Sequence, residues 1–247
     1  MHHFFVSPQS VGEDRVVITG PDVNHIKNAL RMRQGEVIRV SDGCGTDYVC
    51  RIEQIDSSQV ETVILERQDS GELPVRVYLF QGLPKSDKME LIIQKTVELG
   101  VYSIIPTATR YAVVKLDGKK EKSKLERWQA IAESGAKQSK RGIIPQIQPV
   151  KTLKEALQFA AGLDAIWIPY EHESGMEHTK KALAAIGKET RSVGVFIGPE
   201  GGFDEQEIEL AKKAGAVPIS LGKRILRTET AGITALSLIM MKAEGAF

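Results

Sequence analysis

Apolar positions along this chain change their rhythm near residue 72. Before that point they fall in short β-branched runs, Arg15–Thr19, Val37–Val40, Tyr48–Ile52 and Val60–Leu65, separated by Gly, Asp or Ser. Such spacing predicts the strands of a small β-barrel. Asp42-Gly43 with Gly45 is a hairpin signal between two of them. One helix is expected to interrupt, Pro21–Leu30, with Asp22 placed to cap it. Beyond Ser70–Pro74, strand-like and helix-like runs alternate, the pattern of βαβ units on a parallel sheet. Strands are predicted at Val75–Gln81, Tyr102–Pro106, Ala165–Pro169, Val193–Ile197 and Val217–Leu221. Helices are predicted at Lys88–Leu99, Lys122–Gln138, Leu153–Ala161, Met176–Ile186 and Glu229–Lys242. Asp204 and Glu207 have the spacing of a capping box, which starts a further helix just after Gly201-Gly202. The last helix is apolar nearly all round and is expected to be buried on most sides. The chain thus divides into an expected module at 1–72 and a second at 73–247.

Composition narrows the class. Apolar residues make up 42% and charged residues 26% of the chain. Both fractions are near globular norms. No apolar run is long enough to cross a bilayer, and the opening Met1–Phe5 is too short in apolar residues for a signal peptide. Two cysteines, Cys44 and Cys50, have no metal-ligand spacing, so a reduced, cytoplasmic protein is the simplest expectation. The net charge of +1 hides an asymmetry. Residues 1–72 hold seven Lys/Arg against twelve Asp/Glu, whereas Arg110–Arg141 holds ten against four. A concentrated basic segment suits a polyanionic partner. A solvated lysine-rich face would give the same count.

Two strand–loop–helix turns carry the candidate chemistry. The first is Ile197-Gly198-Pro199-Glu200-Gly201-Gly202-Phe203, and the second runs from Leu221-Gly222 through Ile225-Leu226-Arg227-Thr228-Glu229-Thr230 to Ala231. Both would open at the carboxyl edge of a parallel sheet, where such sheets bind ligands. The first is neither a Walker loop nor the dinucleotide fingerprint. Its glycines let backbone approach a ligand closely, while Glu200 discourages a phosphate and favours a neutral or cationic nucleoside-like ligand. Apolar Ile225 and Leu226 in an otherwise polar loop could wall a flat aromatic ring. Arg227 could equally be a surface ion-pair partner, and Glu229 a first-turn carboxylate favoured by the helix dipole. The five histidines give no metal signal, and no nucleophilic triad can be assembled from the sequence.

These two loops closely resemble the paired motifs of the bacterial 16S rRNA uridine-N3 methyltransferase family, a branch of the SPOUT methyltransferases. Gln81-Gly82-Leu83-Pro84-Lys85 with Lys95–Gly100 is similar to the start of that family's catalytic domain. Arg127-Trp128, Gln138, Arg141 and Pro145 follow the order of its central basic segment, with Lys137 where many relatives are acidic. His25 and Leu30-Arg31 ahead of Gly35 resemble its N-terminal RNA-binding module.

The resemblance implies a PUA-like barrel over 1–72 joined to an α/β methyltransferase domain with a deep C-terminal trefoil knot. It implies a homodimer that binds S-adenosylmethionine, uses no metal and acts on 16S rRNA of the small ribosomal subunit. The cofactor would lie against Tyr170, Glu171, Gly198, Glu200, Gly201, Leu221, Gly222, Ile225, Leu226 and Thr230, and bulk at Gly201 would block it. Arg227 and Glu229 would be catalytic. Arg31, Arg33, Lys85, Arg110, Lys137, Lys140 and Arg141 would meet RNA phosphates. Two rivals remain, a non-catalytic RNA-binding or ribosome-assembly protein on the same fold and a nucleotide-dependent oxidoreductase.

Overall fold

A computed structural model describes residues 1–114, 116, 118–173 and 175–247. Lys115 and Asp117, two members of the basic segment, lie outside the described residues. The chain forms two compact units, Met1–Glu72 with Ala136–Ile144, and Leu73–Gly135 with Pro145–Phe247.

The first unit is built on β1 (His3–Phe5), β2 (Arg15–Thr19), β3 (Val37–Ser41), β4 (Thr46–Ile55) and β5 (Gln59–Asp69). They form one sheet in the order β1-β3-β4-β5-β2, antiparallel except for the β1–β3 pair. Alternate residues turn inward, so Ile38 and Val40, Cys50 and Ile52, and Val16 and Ile18 share a core with Phe4, Ile26 and Val60. The Asp42 hairpin closes as its residues dictate, the aspartate side chain bonding backbone further along its own turn. Its Oδ1 accepts from the amides of Cys44 (2.8 Å) and Thr46 (3.2 Å), and Gly43 takes a left-handed φ of 71°.

Three features of this unit are not legible in the apolar pattern. The helix α1 (Pro21–Asn24) begins after Gly20, so Asp22 sits in its first turn instead of capping it, and the helix widens into a π-type turn over His25–Ala29. Strand β1 is only three residues long and is held by a buried polar chain. His3 Nε2 lies 2.6 Å from Ser41 Oγ, Ser41 donates to Asp47, and Asp47 pairs with Arg39. Burial is the main reason the His3 imidazole titrates below its ordinary value. With the serine between histidine and aspartate, this is a structural network in the wrong order for a hydrolytic triad.

The second unit alternates strand and helix. Strands β6 (Arg76–Gly82), β7 (Val101–Ala108), β8 (Gln146–Ile147), β9 (Lys151–Thr152), β10 (Ala165–Pro169), β11 (Ser192–Ile197) and β12 (Val217–Ile219) all pair in parallel. Their order is β12-β10-β11-β6-β7-β8, with β9 also on β7. The connecting helices are α2 (Lys88–Glu98), α3 (Gly118–Ser139), α4 (Leu153–Ala160), α5 (Glu177–Ala185), α6 (Glu205–Lys213) and α7 (Thr228–Ala243). Phe80 and Phe196 stack at 4.2 Å on one sheet face and share a core with Leu157 of α4 and Ile208 of α6. The opposite strand positions face the other way, where α7 packs on β6, β11 and α2. Thr152 and Glu155 form a capping box for α4, a signal not singled out among the sequence motifs. The capping box expected at Asp204 and Glu207 is present.

Arg141, grouped with the exposed basic residues in the sequence, is only 6% exposed in the first unit. Its Nε and a terminal nitrogen donate to Glu72 at 2.8 and 2.6 Å, and the same carboxylate accepts from the Gly142 amide at 2.9 Å. A charge so placed is costly to leave alone. We expect Glu72→Ala to lower stability by roughly 3 kcal/mol in urea unfolding of the full chain, because it removes the carboxylate that pairs with a buried guanidinium. A loss under about 0.5 kcal/mol, the scale of an exposed pair, would contradict this placement.

Candidate functional site

Strands β12, β10, β11 and β6 are neighbours and parallel, so their carboxyl ends deliver four loops to one edge of the sheet. The loop after β11 turns tightly, with the Gly202 amide donating to Pro199 O at 3.0 Å and Gly202 at φ 67°. A Cβ on Gly198 would lie 3.0 Å from the Gly202 backbone, and one on Gly82 would lie 2.6 Å from Pro199. These two glycines allow the loops after β6 and β11 to touch. Beyond the turn, Asp204 starts α6 and accepts from the Tyr111 hydroxyl at 2.9 Å and from Arg110 at 3.1 Å.

The loop after β12 is fastened at both ends. At its start, the Thr179 hydroxyl of α5 donates to Ser220 O at 2.7 Å and accepts from the Ser220 amide at 3.0 Å. Gly222 then takes φ 107° and donates to Ser220 Oγ at 3.3 Å. At its far end, buried Thr228 opens α7. The Thr228 hydroxyl donates to Gly198 O at 2.6 Å and accepts from the buried Gln81 side-chain amide at 2.9 Å. One side chain therefore joins the end of β6, the loop after β11 and the start of α7.

Between these loops lies a cavity of about 370 Å³. That volume falls within the range of small-ligand sites. Pro169, Phe203, Leu221, Ile225 and Leu226 give it apolar walls, and Glu171, Glu200, Lys88, Lys223, Arg224 and Arg227 give it charge of both signs. Ile225 is 86% exposed, an apolar side chain standing free on the cavity rim. Lys88 Nζ lies 3.0 Å from Glu200 Oε1 and 3.4 Å from Glu229 Oε2. The Lys85 amide also donates to Glu200 Oε1, at 3.1 Å. Burial alone would push the Glu200 carboxyl up, but the bonds from Lys88 and Lys85 hold it below the ordinary glutamate range. Its hydrogen bond to Glu200 holds the Lys88 ammonium above the usual lysine value.

Of the cofactor residues read from the sequence, Tyr170, Glu171, Gly198, Glu200, Leu221, Gly222, Ile225 and Leu226 line this cavity together, as does Arg227. Gly201 and Thr230 are not among its lining residues. A Cβ on Gly201 would meet Tyr111 Cβ at 2.9 Å, so bulk there would displace Tyr111 instead of filling the cavity. Glu229 stands behind the wall, half-buried, and reaches it through Lys88. Sequence reasoning misses Lys88. It lies far from Glu200 along the chain, and only the β6–β11 pairing brings the two together.

The basic residues divide between the units. Lys85 and Arg110 are exposed in the second. Arg31, Arg33 and Lys140 are exposed in the first, while Lys137 Nζ lies 3.3 Å from Asp22. Arg31 and Lys140 have φ of 52° and 59°. That left-handed conformation costs a non-glycine residue about 1 kcal/mol. Among the described residues no helix is long and apolar enough to cross a membrane, and no group of three or more His, Cys, Asp or Glu is placed to hold a metal.

Comparison with known proteins agrees with this geometry. The RNA methyltransferase domain family matches residues 71–240, and an RNA methyltransferase PUA domain matches residues 18–65. The ribosomal RNA small subunit methyltransferase E of Bacillus subtilis is 39% identical, over 92% of this chain and 90% of its own. Its namesake in Mesomycoplasma hyopneumoniae is 34% identical, over 96% and 98%. The crystal structure of a ribosomal RNA small subunit methyltransferase E from Neisseria gonorrhoeae, bound to S-adenosyl methionine, superposes with a TM-score of 0.80. It is 31% identical, and the match covers 96% of this chain and 95% of that one.

The Thr228 junction sets a stability prediction. Thr228→Val keeps the shape but removes both hydrogen bonds, and should cost roughly 1–3 kcal/mol in urea unfolding. Thr228→Ser keeps the hydroxyl and should cost about 1 kcal/mol or less, the loss of one methyl group. Equal losses in the two variants would show that packing, not the hydroxyl, matters here.

Proposed function

Since this chain belongs to the ribosomal RNA small subunit methyltransferase E family, we propose that it methylates N3 of one uridine in 16S rRNA of the small subunit, using S-adenosylmethionine. The observation that carries this reading is the cavity at the ends of β10, β11 and β12, with its mixed charge and apolar walls. The cofactor combines a flat adenine, a sulfonium cation and a zwitterionic amino-acid tail. Leu221, Ile225 and Leu226 suit the ring, and Glu171 with Lys223 and Arg224 suits the charged groups. The same family reading carries a C-terminal trefoil knot. Its support is that α7 returns from edge strand β12 to pack on β11 and β6, the crossing such a knot requires.

When bound, the cofactor supplies a methyl group on a positively charged sulfur. The protein must orient the uracil, accept the N3 proton and stabilise charge that gathers on the flanking carbonyl oxygens. Arg227 stands at the cavity wall, exposed, at the N-cap of α7. Its guanidinium would donate to a carbonyl oxygen of the acceptor. Glu229, two residues on and beside Lys88, is the group we assign to the proton.

RNA would be held through Lys85 and Arg110 on one unit and Arg31, Arg33, Lys137 and Lys140 on the other, as phosphate contacts without sequence choice. Arg141, committed to Glu72, would hold the shape of its segment. The positive φ of Arg31 and Lys140 supports this assignment, because strain of this kind clusters where side chains are aimed for function. A second copy of the chain would complete the binding surface, as the family implies, and would cover exposed Ile225. A non-catalytic protein on this fold is the alternative. It has no need of an open cavity walled by Arg227.

Two measurements test this. Small subunits from cells lacking the activity, incubated with the protein and methyl-labelled S-adenosylmethionine, should acquire label in 3-methyluridine alone after RNA digestion. Label in another nucleoside would change the acceptor, and no label would favour the non-catalytic reading. In Arg227→Ala the single-turnover rate should fall about 10²–10³-fold, the scale of losing one donor to a developing charge. Cofactor affinity should stay within about threefold, since a group acting only on the developing charge leaves ground-state binding alone. A wild-type rate would remove Arg227 from the chemistry.

A further inference from the structure

Lys88 belongs to neither motif loop, yet it is the cation between the two carboxylates at the site. Its Nζ is 3.0 Å from Glu200 Oε1, on the loop after β11, and 3.4 Å from Glu229 Oε2, in the first turn of α7. The side chain is 26% exposed and lines the cavity. Glu200 has a second donor in the Lys85 amide. Glu229 Oε2 is buried and receives no aligned hydrogen bond from any described residue, so the Lys88 ammonium is the charge that holds it. Without Lys88, Glu200 and Glu229 would be like charges close together, an arrangement that favours protonating one of them or driving them apart.

Resting on the methyl-transfer reading above, we propose that Lys88 is a positioning residue for that reaction. Anchored on Glu200, it fixes the Glu229 carboxylate just behind the cavity wall, oriented to receive the N3 proton, and it sets the net charge that the sulfonium meets. Lys88 does not take the proton itself, because its tie to Glu200 keeps it an ammonium. In the step, the N3 proton passes to a Glu229 oxygen and the electron pair left on N3 forms the bond to the methyl carbon. The pair of the broken carbon–sulfur bond stays on sulfur. No metal or redox partner is required.

The test compares Lys88→Met, Glu229→Gln, the double variant and Lys88→Arg in the full chain. Calorimetry with S-adenosylmethionine and S-adenosylhomocysteine reads the charge independently of turnover. Loss of the ammonium should favour the sulfonium over the neutral thioether by about threefold or more, and loss of the carboxylate should shift the ratio the other way. Single-turnover methylation should fall about tenfold or more in Lys88→Met and recover to within about threefold in Lys88→Arg. The double variant should be no slower than Glu229→Gln, since two residues acting as one unit are not additive. Multiplicative losses in the double variant, or an unchanged affinity ratio in Lys88→Met, would overturn the proposal. If Lys88→Met loses its thermal transition, Lys88→Gln carries the same comparison. A wild-type chain that binds the cofactor but methylates nothing would overturn the parent reading as well, whereas failure of the Lys88 role alone appears only as differences among variants.

Discussion

The buried hydroxyl of Thr228 is the contact on which the rest of the site depends. It receives the Gln81 side-chain amide from the end of β6 and donates to the Gly198 carbonyl after β11. Three segments far apart in sequence thereby meet in one buried polar cluster through the two hydrogen bonds of the Thr228 hydroxyl. Buried polar groups left unpaired are expensive, so such a cluster selects one arrangement of its segments over its near alternatives. Gly82 and Gly198 make the arrangement possible sterically, because a side chain on either would strike Pro199 or the Gly202 backbone. What remains between the loops is a cavity with Thr228 itself in its lining.

Charge is organised around the same point. Glu200 is tied to the Lys85 amide and to Lys88 of α2, and Lys88 reaches on to Glu229. Arg227 immediately precedes the Thr228 anchor, so its backbone and the cavity wall are positioned by one helix start. A sulfonium donor and an acceptor that loses a proton make opposite demands. One favours nearby carboxylate, the other a nearby cation for developing oxyanion charge. In the proposed reading, Glu200, Lys88, Glu229 and Arg227 together answer both.

Much of this is legible in the residues. The alternation of strand and helix after residue 72 points to the parallel sheet, and Asp204 with Glu207 marks the start of α6, because both signals are local. The two loops are legible for the same reason, since glycine-rich turns after apolar strands carry their own conformational signature. Lys88 is not, because its role arises only when β6 and β11 pair. Arg141 counts with the basic surface because charge in a sequence carries no sign of burial, and only Glu72 shows why it turns inward. Gly201 reads as a cofactor contact, yet Tyr111, from a distant part of the chain, packs against it. The short strand β1 escapes notice because three residues are too few for any period to register.

In the reading proposed above, the Thr228 junction builds a pocket for a nucleoside sulfonium donor. Titration of S-adenosylhomocysteine into the wild-type chain and into Thr228→Val, both at a temperature where each is folded, tests it most directly. The wild type should bind saturably, and the variant should lose about tenfold or more in affinity, equivalent to about 1.4 kcal/mol or more. Equal affinity in the two proteins, or no binding by the wild type, would contradict it.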